Sequence, residues 1–237
     1  MPDITTIGIT TIGFDADDTL WQNEQFYALT QARFAELLRD HAAPDELSGR
    51  LFAVQKRNMG LYGFGIKGFV LSMIETALEI TDHKAPVSVI RDILDAGREM
   101  LAHPVETLPG VPELLKDLNG RYRLVLITKG DLFDQERKLA ASGLGDLFDA
   151  VEIVSDKSAK TYETIFARHG GGASASLTVG NSLKSDIQPA LAAGAWGIFV
   201  PHPLTWAFEH AEKPDTHPRF REIIKISDLE TLLAEID

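Results

Sequence analysis

The side chains best suited to chemistry begin with Asp15-Ala16-Asp17-Asp18-Thr19. In an extended segment, residues i and i+2 point the same way, so Asp15 and Asp17 are expected to project together at the end of a strand. Two carboxylates so close repel, which calls for a proton on one of them or a cation nearby. A hard divalent ion such as Mg²⁺ takes oxygen ligands of this kind. The competing reading is an ordinary solvated acidic turn. Thr128 closes a second apolar run and precedes Lys129 and Gly130. A hydroxyl and backbone N–H groups at a strand-to-helix turn suit an anion, although a threonine ending a strand is common. Lys160 stands just before a helical pattern from about Tyr162, with Lys157 as a nearby rival. A lysine is a compact charge with three donors, suited to a phosphoryl oxygen or to buried carboxylates; a single lysine is ordinarily a surface residue. Finally, Gly180-Asn181-Ser182-Leu183-Lys184-Ser185-Asp186 follows another apolar strand, where Asn181 and Asp186 offer two more oxygen ligands. A helix-capping role for Asp186 is compatible with that use.

The elements that must position these groups follow from periodicity. Ile7 to Phe14 is β-branched and apolar apart from Gly8 and Gly13, and it ends at the acidic cluster. Arg123 to Thr128 repeats the design, and short apolar runs follow at Ala150–Val154, Leu177–Val179 and Trp196–Val200. Helical patterns separate them at Asp134–Ser142, Tyr162–His169 and Asp186–Ala193. Strands alternating with helices predict a parallel sheet covered on both faces. The candidate groups then lie at the ends of consecutive parallel strands and converge on one edge, where open α/β sheets place their ligands. The interruption of roughly 100 residues between the first two strands is too long for a crossover. It is helical in pattern: Phe26, Leu29, Ala32, Phe34, Leu37 and Leu38 form an apolar stripe. Pro44 and Asp45 open a second helix, Phe69–Ile80 reads as a third and Pro86–Leu101 as a fourth, before Val111–Leu118 returns the chain to the sheet. Residues 22–104 are thus expected to form a helical domain inserted into a catalytic core of 1–21 and 105–237.

Composition narrows the function. The 237 residues carry 23 basic and 35 acidic side chains, a net charge of −12. Nucleic-acid binding needs clustered Lys and Arg, and an anionic membrane surface needs a polybasic stretch, so neither partner is expected. No cysteine is present, which excludes disulfides, thiolate metal sites and cysteine nucleophiles. Met1-Pro2-Asp3-Ile4 does not read as the start of a signal peptide, and no apolar run approaches the ~18 residues of a membrane span. A cytoplasmic location is the default expectation.

Taken together, the motifs resemble the haloacid dehalogenase-like hydrolase superfamily. The matching text is Phe14-Asp15-Ala16-Asp17-Asp18-Thr19-Leu20, Leu126-Ile127-Thr128-Lys129-Gly130, Lys160 ahead of Phe166, and Val179-Gly180-Asn181-Ser182 running to Asp186-Ile187. The stretches from Gln135 through Lys138-Leu139 to Gly143-Leu144, Leu147-Phe148-Asp149, and Ala190 to Gly194 also look like the family. The resemblance implies a Rossmann-like sheet of order 3-2-1-4-5 between helices, with a helical cap of the family's first type. It implies a phosphatase of a small phosphorylated molecule. Asp15 would be the nucleophile, Asp17 the general acid and base, and Thr128 and Lys160 would hold the phosphoryl oxygens. Mg²⁺ would be held by Asp15, the Asp17 carbonyl, Asp186 and Asn181.

The sequence departs from the family pattern at Lys129, where Asn is usual, at Thr161, where Pro is common, and at Asn181, where many relatives have Asp. Lys129 is expected either to serve an anionic substrate, together with Gly130, or to face solvent. Gly63-Phe64-Gly65-Ile66-Lys67-Gly68 has the spacing of a dinucleotide fingerprint but follows a helical segment, so it fails the context such a fingerprint needs. A cap loop is the better reading, with Arg57, Tyr62 and Lys67 as candidate substrate contacts. Two alternatives stand beside the phosphatase. A 2-haloacid dehalogenase on this fold would need neither Asp17 nor a metal, and a silent binding module would be expected to lose Asp15 or Asp17.

Overall fold

The computed structural model describes residues 8–236; the expected strand start at Ile7 and the N-terminal tetrapeptide lie outside them. In chain order the elements are β1 (Thr11–Phe14), α1 (Glu24–Leu37), α2 (Pro44–Tyr62), α3 (Ile66–Ile80), α4 (Val87–Ala102), α5 (Val111–Leu118), β2 (Arg123–Lys129), α6 (Leu132–Ser142), β3 (Ala150–Val154), α7 (Ala159–His169), β4 (Ser176–Gly180), α8 (Gln188–Ala192), β5 (Trp196–Phe199), β6 (Phe220–Glu222) and α9 (Leu229–Ile236). Two compact units result. One comprises residues up to Glu24, Val105–Lys129 and Lys138 onward; the other comprises Gln25–Pro104 and Gly130–Arg137.

The first unit holds a six-stranded sheet of order β3-β2-β1-β4-β5-β6, with every pairing parallel. The central strands β1 and β4 are buried along their whole length, as the interior of a parallel sheet requires, while the outer β3 and β6 are partly exposed. Leu124 and Leu126 of β2 join Ile12, Phe14, Leu177 and Val179 in one core, closed by Leu114, Leu115 and Leu118 of α5 and Leu229 and Leu233 of α9. The alternate residues Val125 and Ile127 point to the other face and pack with Tyr162, Ile165 and Phe166 of α7. Gly13 is explained by that second layer: a β-carbon there would stand 3.3 Å from the Phe166 ring and closer still to Ile127. The sheet carries a strand beyond the five expected. β6 pairs Phe220 with Gly197, and α9 follows it, an element the sequence reading did not include.

The second unit is built from α1–α4 around Phe34, Leu38, Leu47, Leu51, Phe69, Met73 and Ile93. Its boundaries fall after Glu24 and before Val105, and it also takes the segment after β2. The expected stripe on α1 is narrower than its spacing suggested, since Leu29 is 67% exposed and Ala32 is exposed too. The buried face instead runs through Thr30, Phe34 and Leu38, at i, i+4 and i+8. Among the described residues no helix is long and apolar enough to cross a membrane.

Candidate active site

Phe14 lies level with Leu126 of β2 on one side and Val179 of β4 on the other. The chain just beyond it therefore shares a sheet edge with Thr128 and with the Gly180–Asp186 turn. The Asp15 amide donates to the Val179 carbonyl (2.9 Å), which fixes the root of its side chain. The extended geometry stops at Phe14. Residues 16–21 form a tight turn in which Thr19 and Leu20 N–H groups donate to the Ala16 carbonyl and Asp18 has φ 61°. The i, i+2 argument therefore does not carry to Asp17, and the two carboxylates have different partners. Asp15 Oδ2 accepts from the Thr19 hydroxyl (2.9 Å) and Oδ1 from the Lys157 ammonium (2.5 Å). Asp17 Oδ1 accepts from Trp21 Nε1 (2.7 Å) and from Lys138 Nζ (2.6 Å).

Lys157 is the centre of the site. Its ammonium also donates to Asp186 Oδ1 (2.7 Å), so one fully buried cation joins the carboxylates of two strand ends. Burial by itself would lower the Lys157 pKa, but Asp15 and Asp186 hold it well above the usual value. Asp186 is pushed up to about 7, first by burial and then by the charge of Asp15, against the pull of Lys157. It sits in a single π turn, Leu183–Ile187, where Asp186 and Ile187 N–H groups both donate to the Ser182 carbonyl; such turns recur at functional sites. Its Oδ2 accepts from Ser182 N–H (2.9 Å). Asn181 is tied to Asp15 through Thr19: its amide N–H donates to Thr19 Oγ1 (3.1 Å), and its Oδ1 lies 3.3 Å from the same hydroxyl.

The structure corrects the lysine expected from sequence. The Lys160 side chain is 83% exposed and pairs with Glu163 on its own helix. The reason is helical phase: Tyr162, Ile165 and Phe166 face the core, and residue 160 lies about 200° around the axis from 162. Lys157 precedes Ser158, which caps α7 by accepting from Thr161 N–H, so it leaves the loop on the side of the strand ends. Lys129 is corrected as well. It neither faces solvent nor stands ready for an anion, because Nζ is held by Glu209 Oε1 (2.5 Å) and Ser185 Oγ (2.7 Å). Lys129 in turn holds Glu209 below the usual carboxylate range although burial pushes it up, with Ser182 and Ser185 adding hydrogen bonds.

Thr128 is buried near the end of β2, and Gly130 follows at φ 145°. Arg57, Tyr62 and Lys67 belong to the second unit, and each is bound there: Arg57 to Glu75 and Glu79, Tyr62 to Glu75, and Lys67 to Asp131. Trp21 and Glu209 are the groups sequence reasoning missed, and Thr19 and Lys138 entered it only as motif text with no role assigned. For Lys138 a signal existed: the buried positions of α6 are Asp134, Gln135 and Lys138, a polar inward face that ordinary packing would make apolar. Two further carboxyls nearby titrate high. Asp18 is raised to about 6, chiefly by burial, while it accepts from the Asn23 and Glu24 amides at the start of α1. Glu24 is raised to about 8 by burial and then by Asp18, Asp17 and Glu209.

The donor set suits a hard cation. Among the described residues no three of His, Asp and Glu gather as a ready-made metal cage. Mg²⁺ needs only one or two carboxylates, however, and otherwise keeps water and carbonyl oxygens. Asp15 and Asp186 present two carboxyl groups to the single ammonium of Lys157, a donor set with oxygen to spare for a cation.

A family model for haloacid dehalogenase-like hydrolase matches residues 9–194. The chain is similar to the crystal structure of a haloacid dehalogenase-like family hydrolase from Xanthomonas campestris, at 39% identity over 97% of this chain and 92% of that one, with a TM-score of 0.87. The chain belongs to the haloacid dehalogenase-like hydrolases. It shares their fold with the HAD-hydrolase YfnB of Bacillus subtilis bound to magnesium (18% identity, 95% and 99% coverage, TM-score 0.67). It shares it also with a 2-haloacid dehalogenase from Pseudomonas syringae (21% identity, 97% and 100% coverage, TM-score 0.61). No curated protein matches the chain.

Proposed function

We propose that the protein is a Mg²⁺-dependent phosphohydrolase of a small phosphorylated metabolite, working through an aspartyl-phosphate. The observation that carries this reading is the Lys157 ammonium set between Asp15 and Asp186. A buried carboxylate held beside a fixed cation is a poised nucleophile, and phosphoryl transfer asks mainly for positioned positive charge around the transferring oxygens. Asp15 attacks phosphorus, and the bond from phosphorus to the ester oxygen breaks. Asp17 gives its proton to that departing oxygen, then takes one from the water that attacks phosphorus and releases phosphate, restoring Asp15. Thr128 and Lys157 hold the phosphoryl oxygens, Lys157 taking the role first expected of Lys160. Asp15, Asp186, Asn181 and the Asp17 carbonyl would hold Mg²⁺, which supplies charge neutralisation for the phosphoryl group. The helical unit, as a cap, would select the substrate.

The test is hydrolysis of p-nitrophenyl phosphate by the full chain. Activity that needs Mg²⁺, stops with chelator and is abolished in Asp15→Asn supports the reading. Undiminished hydrolysis in Asp15→Asn overturns the assignment of the nucleophile. Halide release from a 2-haloacid with chelator present would instead establish a dehalogenase, a reading that leaves the fixed Asp17 carboxylate without a task. A screen of phosphorylated metabolites then identifies the substrate.

A further inference from the structure

We propose that Lys138 and Trp21 are positioning residues for proton transfer at Asp17, and that they suit the enzyme to esters whose alcohol is a poor leaving group. The proposal rests on the phosphohydrolase reading above. Both donors converge on one oxygen: Trp21 Nε1–H at 2.7 Å and Lys138 Nζ at 2.6 Å from Asp17 Oδ1. They come from separate elements, the turn that follows β1 and the helix α6. Trp21 is fully buried, and Lys138 is 8% exposed. An indole N–H in a core goes to a hydrogen-bond partner, and an ammonium so far from water needs polar acceptors. Lys138 Nζ also lies 3.3 Å from Asn23 Oδ1. The carboxylate of Asp17 is therefore aimed by two rigid contacts, where a lone side chain in a turn would sample several rotamers.

The chemistry gives this arrangement a readable consequence. When the phosphorus–oxygen bond breaks, the departing oxygen takes the bonding electrons and needs the proton of Asp17 in proportion to its basicity. p-Nitrophenolate leaves with little help, whereas phenolate, of nearly the same shape, needs much more. A loose Asp17 therefore costs turnover of phenyl phosphate more than turnover of p-nitrophenyl phosphate.

The experiment compares kcat/KM for these two esters in the wild type and in Lys138→Met, Lys138→Arg, Trp21→Phe and Asp17→Asn. That ratio reports the step that expels the alcohol, because the later hydrolysis of the aspartyl-phosphate is common to both esters. General acid catalysis contributes about 10²–10⁴-fold, and loss of aim alone should forfeit part of it: about tenfold or more in kcat/KM for phenyl phosphate and less than about threefold for p-nitrophenyl phosphate in Lys138→Met. Lys138→Arg should recover part of the loss, and Asp17→Asn should show the same bias more strongly. Trp21→Phe keeps an aromatic ring but removes the N–H, so it gives an independent reading with the same bias should Lys138→Met not fold. Equal losses of kcat/KM on both esters would overturn the positioning role alone. A wild type inactive on both esters, or an Asp15→Asn variant as active as wild type, would overturn the phosphohydrolase reading beneath it.

Discussion

Gly180 and Asp186 approach so closely that a β-carbon on Gly180 would overlap the Asp186 carboxylate, striking Oδ2, the carboxyl carbon and Cβ. The end of β4 is thus the seat on which this carboxylate rests, and no other residue fits there. Gly180→Ala should push Asp186 away from Lys157 at a cost of about 1–3 kcal/mol in stability from overpacking. Because a displacement near 1 Å can cost about 10²-fold in rate, hydrolysis should fall by that order. Chemical denaturation and steady-state kinetics check the two effects; a fully active variant would show that Asp186 need not sit where it does.

The two lysines of the α7 entrance should behave oppositely. Lys157→Met leaves two buried carboxylates without their cation, a class of change that costs about 3–5 kcal/mol, and should abolish hydrolysis. Added Mg²⁺ should then raise the melting temperature of that variant more than that of the wild type. Lys160→Met, on an exposed helix face, should change stability by less than about 0.5 kcal/mol and leave turnover alone. Thermal melts with and without Mg²⁺ decide it.

Glu24 makes the protein's stability depend on pH. Its pKa is raised from 4.5 to about 8 in the folded state, so between those values the folded chain holds a proton that the unfolded chain has lost. The stabilisation is complete below the unfolded pKa and disappears as pH climbs through the folded one. Glu24→Gln should therefore gain on the wild type as pH goes from 5 to about 8.5, by on the order of 1–3 kcal/mol once partial solvent access is allowed for. Melting curves of both proteins at the two pH values test the sign; a constant difference would refute it.

Lys129 and Glu209 should be energetically coupled. Both side chains are largely buried and share Ser185 as a partner. A double-mutant cycle with Lys129→Met and Glu209→Gln should give an interaction energy of about 0.5–3 kcal/mol, measured by urea denaturation. Additive effects would mean that the pair contributes nothing.

What the sequence disclosed follows from how strongly each residue's neighbours constrain it. β2 alternates Leu124, Leu126 against Val125, Ile127, and those two sets face different cores, so an unbroken apolar run was enough to announce a strand covered on both sides. Of the residues the structure brings together, Asp15 and Asn181 each stand just past such a run and Asp186 a turn beyond, which is why the sequence pointed to them. β6 escaped notice because only Phe220 of its three residues is buried, leaving no run to detect. The lysine was misassigned through a local likeness of spacing, while the phase of Tyr162, Ile165 and Phe166 already placed residue 160 outside. Lys129 could not be resolved from its own neighbourhood, since its partner Glu209 lies far along the chain and nothing near position 129 names it.

The strand that ends at Asp15 lies inside the sheet, with β2 on one flank and β4 on the other, while the late-arriving β6 occupies an outer margin. Fraying under thermal agitation begins where hydrogen-bonded neighbours are fewest. Breathing at the periphery can thus come and go while the amide of Asp15 stays locked to Val179. The carboxyl of Asp15, the proposed nucleophile, is therefore rooted where the sheet gives the backbone hydrogen-bonded neighbours on both sides, which steadies its aim.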